Sequence, residues 1–143
     1  MTIDQISVFV ENEPGKLADV TKILADAGVD LRAMSIADTR DFGILRIIVD
    51  DTIGAVGALK NADYVTLLSK VIAVRIEDRP GGLAGVLAVL GDAGVSLEYL
   101  YAFVSRKEGN AYVILRVEDT EGAVEALSEN HVPTVGADEL FEK

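Results

Sequence analysis

The sequence contains no cysteine and no tryptophan, and it has only three prolines among its 143 residues. Without cysteine the chain cannot form a disulfide, a thiolate metal site or a sulfur nucleophile. Basic residues are also scarce, because 13 lysines and arginines stand against 24 acidic residues, for a net charge of -11. Such a surface repels nucleic-acid phosphates and anionic lipids, so we expect neither nucleic acid nor a membrane as a partner.

Long apolar runs and a secretory leader are also missing. No stretch reaches the roughly 20 apolar residues that span a bilayer. The first five residues carry no basic side chain, which is unlike a signal peptide. Half of the residues are nevertheless hydrophobic, which is enough for a packed core. We therefore expect a folded cytoplasmic protein.

The chain contains an internal repeat. Residues 12–18 match residues 78–84, with Pro-Gly at the centre of both segments. The same spacing superimposes residues 26–29 on residues 92–95, both of which read Asp-Ala-Gly-Val. The segment 51–56 matches the segment 119–124 at a spacing that is two residues longer. Matches spread over the whole unit indicate a duplication.

The repeat predicts two modules, 1–69 and 70–143. No linker rich in proline, glycine or serine separates them, so we expect them to pack together as one body. Each module begins with a strand, because residues 5–10 and 72–76 alternate between apolar and polar side chains.

A helix follows each Pro-Gly turn. Its apolar residues recur at spacings of three and four, which places them on one face. They are Leu17, Val20, Leu24 and Ala27 in the first copy and Leu83, Val86, Leu90 and Ala93 in the second. Gly28 and Gly94 come next and predict the helix ends, because glycine adopts a left-handed conformation readily.

The remaining elements follow in the same order in both copies. We predict strands at 30–37 and 44–49, a helix with Asp51 as its N-cap, and a short strand at 65–68. The second copy repeats them at 96–104, at 112–117, after Asp119 and at 134–137. Pro133 indicates that this last strand is an edge strand or starts late.

The order βαββαβ, found twice, predicts an α+β protein with two ferredoxin-like modules. Each module should form a four-stranded antiparallel sheet with both helices on one face. Eight strands could build one continuous sheet or two stacked sheets. Residues 45–49 and 99–104 are apolar on both faces, so we expect the other copy or a second chain to cover the open face. A homo-oligomer, most simply a homodimer, is the expected state.

Catalytic and metal motifs are weak. His131 is the only histidine, and it lies three residues after Ser128. No acidic residue that could orient a catalytic serine–histidine pair is evident. Asp50 and Asp51 precede a helix and are better explained as caps than as metal ligands. The second Pro-Gly turn lacks the lysine and spacing of a phosphate loop. We expect no catalysis, no metal and no cofactor.

The Pro-Gly turn has chemistry that suits a ligand. Glycine lets the backbone approach a ligand closely, and the first amides of the following helix favour a carboxylate. Asn12 can donate and accept hydrogen bonds, whereas an ionised Asp78 only accepts and suits an ammonium group. Asn12 and Asp78 are equally good helix caps, and Pro-Gly is ordinary turn chemistry, so both explanations stay open.

These residues resemble an ACT domain. The resemblance rests on the strand, the turn Asn12 to Leu17, and the helix that ends at 26–29, and the second copy repeats all three. It extends over essentially the whole chain, which is similar to stand-alone tandem ACT proteins. The resemblance implies regulatory modules that bind amino acids or similar small effectors where two modules meet, with the second strand of a neighbouring module as the opposite wall.

The resemblance implies a set of ligand-binding residues. In the turns they are Asn12, Glu13, Pro14, Gly15, Lys16 and Leu17, and Asp78, Arg79, Pro80, Gly81, Gly82 and Leu83. In the walls they are Met34, Ser35 and Ile36, and Leu100, Tyr101 and Ala102. Such an apolar wall suits a hydrophobic or aromatic side chain, although Met34 and Leu100 fit core packing equally well. The second turn departs from the first, since Gly82 stands in place of Lys16.

We therefore expect a non-catalytic regulatory protein that binds a small molecule, most simply an amino acid, at a module or subunit interface. The alternative is a detached regulatory subunit that docks on an amino-acid biosynthetic enzyme such as acetolactate synthase. An enzyme on the same scaffold is a third hypothesis, because a fold does not dictate function, but no catalytic set supports it.

Overall fold

A computed structural model describes residues 1–38, 41–104 and 109–141 of the chain. The described part contains seven strands and five helices. The strands are β1 (Ile3–Glu11), β2 (Leu31–Asp38), β3 (Phe42–Val49), β4 (Val65–Glu77), β5 (Leu97–Val104), β6 (Asn110–Val117) and β7 (Thr134–Val135). The helices are α1 (Lys16–Asp26), α2 (Thr52–Asn61), α3 (Gly82–Asp92), α4 (Thr120–Glu129) and α5 (Ala137–Leu140).

The chain divides into two compact units. The first unit is Asp4–Ser69, and the second is Lys70–Lys143 together with Met1–Ile3. Each unit carries one copy of the repeat and has its own hydrophobic core. The predicted α+β fold of two βαββαβ modules is confirmed.

In the first unit, β3 lies between β2 and β1 and pairs antiparallel with both. The apolar side chains of β1 and β3 that face the helices are fully buried with those of α1 and α2. This core comprises Ile6, Val8, Val10, Val20, Leu24, Val29, Leu45, Ile47, Val49, Ala55 and Leu59. Burying each large aliphatic side chain stabilises the fold by roughly 1.5–3 kcal/mol.

The second unit repeats this arrangement with β6 between β5 and β4, and β7 on the other side of β4. Its core comprises Ile72, Val74, Val86, Leu90, Val113, Leu115, Val117, Ala123 and Leu127. The short helix α5 is tied to the sheet by Glu139, which accepts hydrogen bonds from Arg75 at 3.0 Å and from the Tyr112 hydroxyl at 2.9 Å.

The helix signals of the sequence are largely confirmed. The Asp51 side chain accepts a hydrogen bond from the Gly54 amide at 2.9 Å, and Asp119 does the same at Gly122 at 3.0 Å. Gly28 follows α1 with a φ of 73°, as a left-handed helix end requires. The central residues of the predicted face of α1 and α3 are buried, whereas the alanines at its end, Ala27 and Ala93, are exposed.

Three expectations need correction. The strand predicted at 134–137 stops at Val135, and Ala137 already begins α5. The strands predicted at 65–68 and 72–76 are one continuous strand, β4. Asn12 and Asp78 do not cap helices, because Gly15 and Gly81 hold the N-cap positions without a side-chain hydrogen bond. Within the described residues, no helix has the length and apolar character to cross a bilayer.

Candidate functional site

A cavity of about 490 Å³ opens in the first unit, where the end of β1, the start of α1 and the turn after α2 meet. We call it the first cavity. Its volume lies in the range of roughly 300–1,000 Å³ that small-molecule sites occupy. Its chemistry comes from four charged residues and from three aromatic ones.

Three carboxylates and one ammonium group line the first cavity: Glu11, Asp19, Asp63 and Lys16. Glu11 ends β1, whereas Lys16 and Asp19 lie in the first turn of α1. An acidic side chain is favoured there because the helix presents partial positive charge at its start. Lys16 forms no ion pair with any residue in the described part of the chain. Its ammonium group is therefore available to a ligand.

A hydrogen bond joins two walls of the first cavity. The Tyr64 hydroxyl donates to Oδ2 of Asp19 across a distance of 2.6 Å, which links the turn after α2 to the start of α1. This hydrogen bond, together with burial and the negative charges of Asp19 and Glu11, raises the pKa of Tyr64 to about 12. Tyr64 therefore remains a neutral donor throughout the physiological pH range.

Two phenylalanines form an aromatic wall of the same cavity. Phe9 and Phe42 lie near one end of the pair β1–β3, and their rings are 6.1 Å apart in an edge-to-face arrangement. Their exposed fractions are 37% and 41%, so each ring leaves part of its surface open. Aromatic surface of this kind can pack against an apolar chain or receive a cation on a ring face.

The glycine of each Pro-Gly turn has a left-handed backbone. Gly15 and Gly81 have φ values of 85° and 88°, a left-handed conformation that glycine adopts without strain. The helices begin at the next residue, Lys16 in the first unit and Gly82 in the second. No side chain caps either helix, but the amides of Lys16 and Gly82 already donate to the carbonyls of Glu13 and Arg79 at 3.3 and 3.1 Å, so an anionic partner would be bound by the amides that follow them.

Of the residues predicted in the first turn, only Lys16 lines the first cavity. Lys16 is half-buried, and its neighbours in the turn are exposed: Asn12, Glu13, Pro14, Gly15 and Leu17.

The predicted wall of the first unit divides between the two faces of the sheet. Met34 and Ile36 lie on the edge strand β2 with exposed fractions of 44% and 51%. Ser35 lies between them and faces the opposite side, because successive side chains of a strand alternate. The described lining of the first cavity contains none of these three residues.

In the second unit, a smaller cavity of about 260 Å³ lies at the equivalent place. We call it the second cavity. Arg79, Gly81 and Gly82 of the predicted turn line it, and the side chain of Arg79 pairs with that of Glu77.

The other residues predicted in the second unit are outside the lining of the second cavity. Asp78 and Pro80 are exposed, whereas Leu83 and Leu100 pack against the core. In the predicted wall, Tyr101 is buried and Ala102 is exposed.

Most of the first cavity's lining was not predicted from the sequence, including Phe9, Asp19, Phe42 and Tyr64. One signal was present in the repeat. Asp63 aligns with His131, the two residues follow equivalent helices, and both have a positive φ, 66° and 58°. Both residues directly follow a helix C-cap, Ala62 or Asn130, where a left-handed residue commonly ends a helix, so the signal is the change from aspartate to histidine between the copies.

Comparisons with known proteins agree with this fold. The family model described as an ACT domain pair matches residues 1–143. Protein BT0572 from Bacteroides thetaiotaomicron has a similar crystal structure, with 36% sequence identity and a TM-score of 0.92. That alignment covers 100% of this chain and 98% of the other. No curated protein matches the sequence.

More distant structures share the fold. The regulatory subunit of aspartate kinase from Thermus thermophilus, in its ligand-free form, is 20% identical with a TM-score of 0.63, covering 88% of this chain and 90% of the other. The corresponding subunit from Thermus flavus is 19% identical with a TM-score of 0.60, covering 90% and 92%. ACT domains are regulatory modules that bind small effectors such as amino acids. The chain described here belongs to the family of ACT domain pairs.

Proposed function

We propose that this chain is a non-catalytic, cytoplasmic regulatory protein that binds an amino acid in the first cavity. The observation that supports the proposal is the composition of that cavity. It combines an ammonium group that forms no ion pair within residues 1–38, 41–104 and 109–141, several carboxylates and an aromatic wall in a volume of about 490 Å³. An amino acid has the matching groups, namely a carboxylate, an ammonium group and a side chain.

The charges suggest how such a ligand binds. Lys16 and the first amides of α1 attract the ligand's carboxylate. Glu11 and Asp19 attract its ammonium group, and Asp19 keeps free acceptor sites beside its hydrogen bond to Tyr64. The side chain then lies toward Phe9 and Phe42, where it loses contact with water.

Binding regulates only if the ligand prefers one arrangement of the protein over another. The first cavity is lined by β1, α1 and the turn after α2, so a bound ligand would hold these three elements together. We expect the regulated form to be a homodimer. Met34 and Ile36 are exposed on the edge strand β2, and an open sheet edge favours pairing with a second chain.

A second candidate is a regulatory subunit that docks on an amino-acid biosynthetic enzyme such as acetolactate synthase. It is supported by the start of β4, where Val65, Leu67 and Leu68 are all more than half exposed. Neighbouring exposed apolar side chains commonly mark a protein interaction surface. Co-purification of a large enzyme from native lysate in stoichiometric amount would favour docking, whereas a lone homodimer would count against it.

Calorimetry with each of the twenty amino acids tests the main proposal. We expect at least one to bind and to raise the melting temperature. The substitution Lys16→Gln should weaken that binding by about tenfold, because it removes a charge-assisted contact with the carboxylate.

Lys22→Gln is the matched control for this test. Lys22 lies on the same helix but outside the first cavity, and it is exposed in an ion pair with Asp26. An equal loss of affinity in both variants would show that the protein's overall charge, rather than a contact with Lys16, weakens binding. If no amino acid binds or stabilises the protein, the proposal fails.

A further inference from the structure

We infer that the first cavity selects an amino acid with a second cationic group, that is, an amino or guanidinium group on its side chain. This inference rests on the proposed amino-acid site. A simple zwitterion needs one positive and one negative partner. Among the described residues, the lining offers one positive side chain, Lys16, against the carboxylates of Glu11, Asp19 and Asp63. A neutral ligand would leave this negative charge in excess, whereas a cationic side chain offsets it.

The aromatic wall favours the same class of ligand. Phe9 and Phe42 line the cavity together with the carboxylates. Their rings are in an edge-to-face arrangement, so the planes of the two rings have different orientations. The negative face of an aromatic ring attracts ammonium and guanidinium groups, and this attraction increases when water is excluded. An alkyl stem that ends in a cation therefore suits both parts of the lining.

Tyr64 reports the potential inside the cavity. Its pKa is raised chiefly by the hydrogen bond to Asp19, next by burial, and less strongly by the charges of Asp19 and Glu11. A negative environment that opposes the ionisation of Tyr64 stabilises a bound cation.

The second cavity provides an internal comparison. At the positions of Asp19 and Asp63 it has Gly85 and His131. Arg75 replaces Phe9 in the same comparison. Glu77 holds the position of Glu11, so the same module folds at this place with one carboxylate in the described lining instead of three. The fold of the module therefore does not require Asp63 or Phe9, and a cationic ligand would account for both residues.

Asp63 is the carboxylate of the first cavity that is best suited to a test by substitution. It has a left-handed backbone conformation that most side chains adopt at a cost, and its amide donates to the Lys60 carbonyl at 3.0 Å. Asparagine is also tolerated in this conformation. The substitution Asp63→Asn therefore removes the charge without disturbing the turn.

The test compares lysine with norleucine, which has a similar carbon chain but no terminal ammonium group. Calorimetry should give at least about tenfold tighter binding for lysine, ornithine or arginine than for norleucine. Asp63→Asn and Asp19→Asn should each reduce this preference markedly. Asp26→Asn, on the exposed surface of the same helix, should leave it unchanged.

The control also removes the effect of the protein's overall negative charge, which Asp26→Asn alters by the same amount. Circular dichroism should confirm that all three variants are folded. Norleucine binding as tightly as lysine would overturn the inference and leave the proposed amino-acid site intact. Binding of none of the twenty amino acids would overturn both.

Discussion

Gly82 occupies the position that Lys16 holds in the first unit, and its surroundings leave no space for a side chain. A Cβ atom added to Gly82 would lie 2.3 Å from the carbonyl oxygen of Glu77, far closer than such atoms approach. That oxygen belongs to the backbone and cannot rotate away. The second turn is therefore built around glycine, and the cation of the first cavity has no counterpart at this position.

We predict that Gly82→Ala destabilises the protein by about 1–3 kcal/mol, because the backbone must shift to accept the methyl group. Gly91→Ala is the matched control. Gly91 lies in the same helix with open space around its Cβ position, so alanine there should stabilise the helix by about 0.5–1 kcal/mol. Urea unfolding measures both. A Gly82→Ala variant as stable as the wild type would contradict the geometry of the turn.

Single residues of the site were the hardest to predict from the sequence. Lys16 was found because it lies in the Pro-Gly motif. The bond between Tyr64 and Asp19 joins positions 45 residues apart, and no local pattern indicates such a contact. Phe9 alternates with buried valines, so the pattern predicts that its side chain lies on the other face of the strand. The pattern does not predict which residues its side chain contacts on that face.

Elements were predicted well where their signals are local. Asp51 was identified as a helix cap because a cap needs only the amide three residues later, and that hydrogen bond is present. The helix α5 was missed because its contacts are distant in sequence. Arg75 and Tyr112 bind Glu139 across 64 and 27 residues. The continuity of β4 was missed because its first half is exposed and lacks a clear alternation.

At the scale of the element, we predict that Asp51→Ala reduces stability by about 1 kcal/mol, since it leaves an amide at the start of α2 without its partner. Asp51→Asn should change stability by only a few tenths of a kcal/mol, because asparagine caps a helix equally well. Thermal and urea unfolding of the two variants provide the comparison. Equal losses in both would mean that the negative charge, rather than the hydrogen bond, matters at this position.

The fold of two βαββαβ modules was predicted correctly because the duplication presents each signal twice. Pro-Gly, the helix face and Asp-Ala-Gly-Val recur in both copies, so an ambiguous pattern in one could be checked against the other. The linings of the two cavities were not predictable in this way. They differ at Phe9, Lys16, Asp19 and Asp63, whose counterparts in the second copy are Arg75, Gly82, Gly85 and His131.

At the scale of the whole chain, the net charge of -11 implies repulsion within the folded state. We predict that the melting temperature rises as sodium chloride is increased to about 0.15 M, where the screening length falls to about 8 Å. Sucrose at the same osmolarity controls for effects that do not depend on charge. A melting temperature that falls or does not respond to the salt would argue against repulsion as a significant cost.

The two unlike cavities also bear on how such a protein can evolve. In a dimer of single modules every substitution appears in both halves at once, so symmetry constrains the two pockets to change together. Fusion of two copies in one polypeptide removes that constraint, because a mutation such as glycine for lysine alters one pocket alone. In a tandem chain, one cavity can thus become specialised while the other cavity loses the original ligand or acquires a new one.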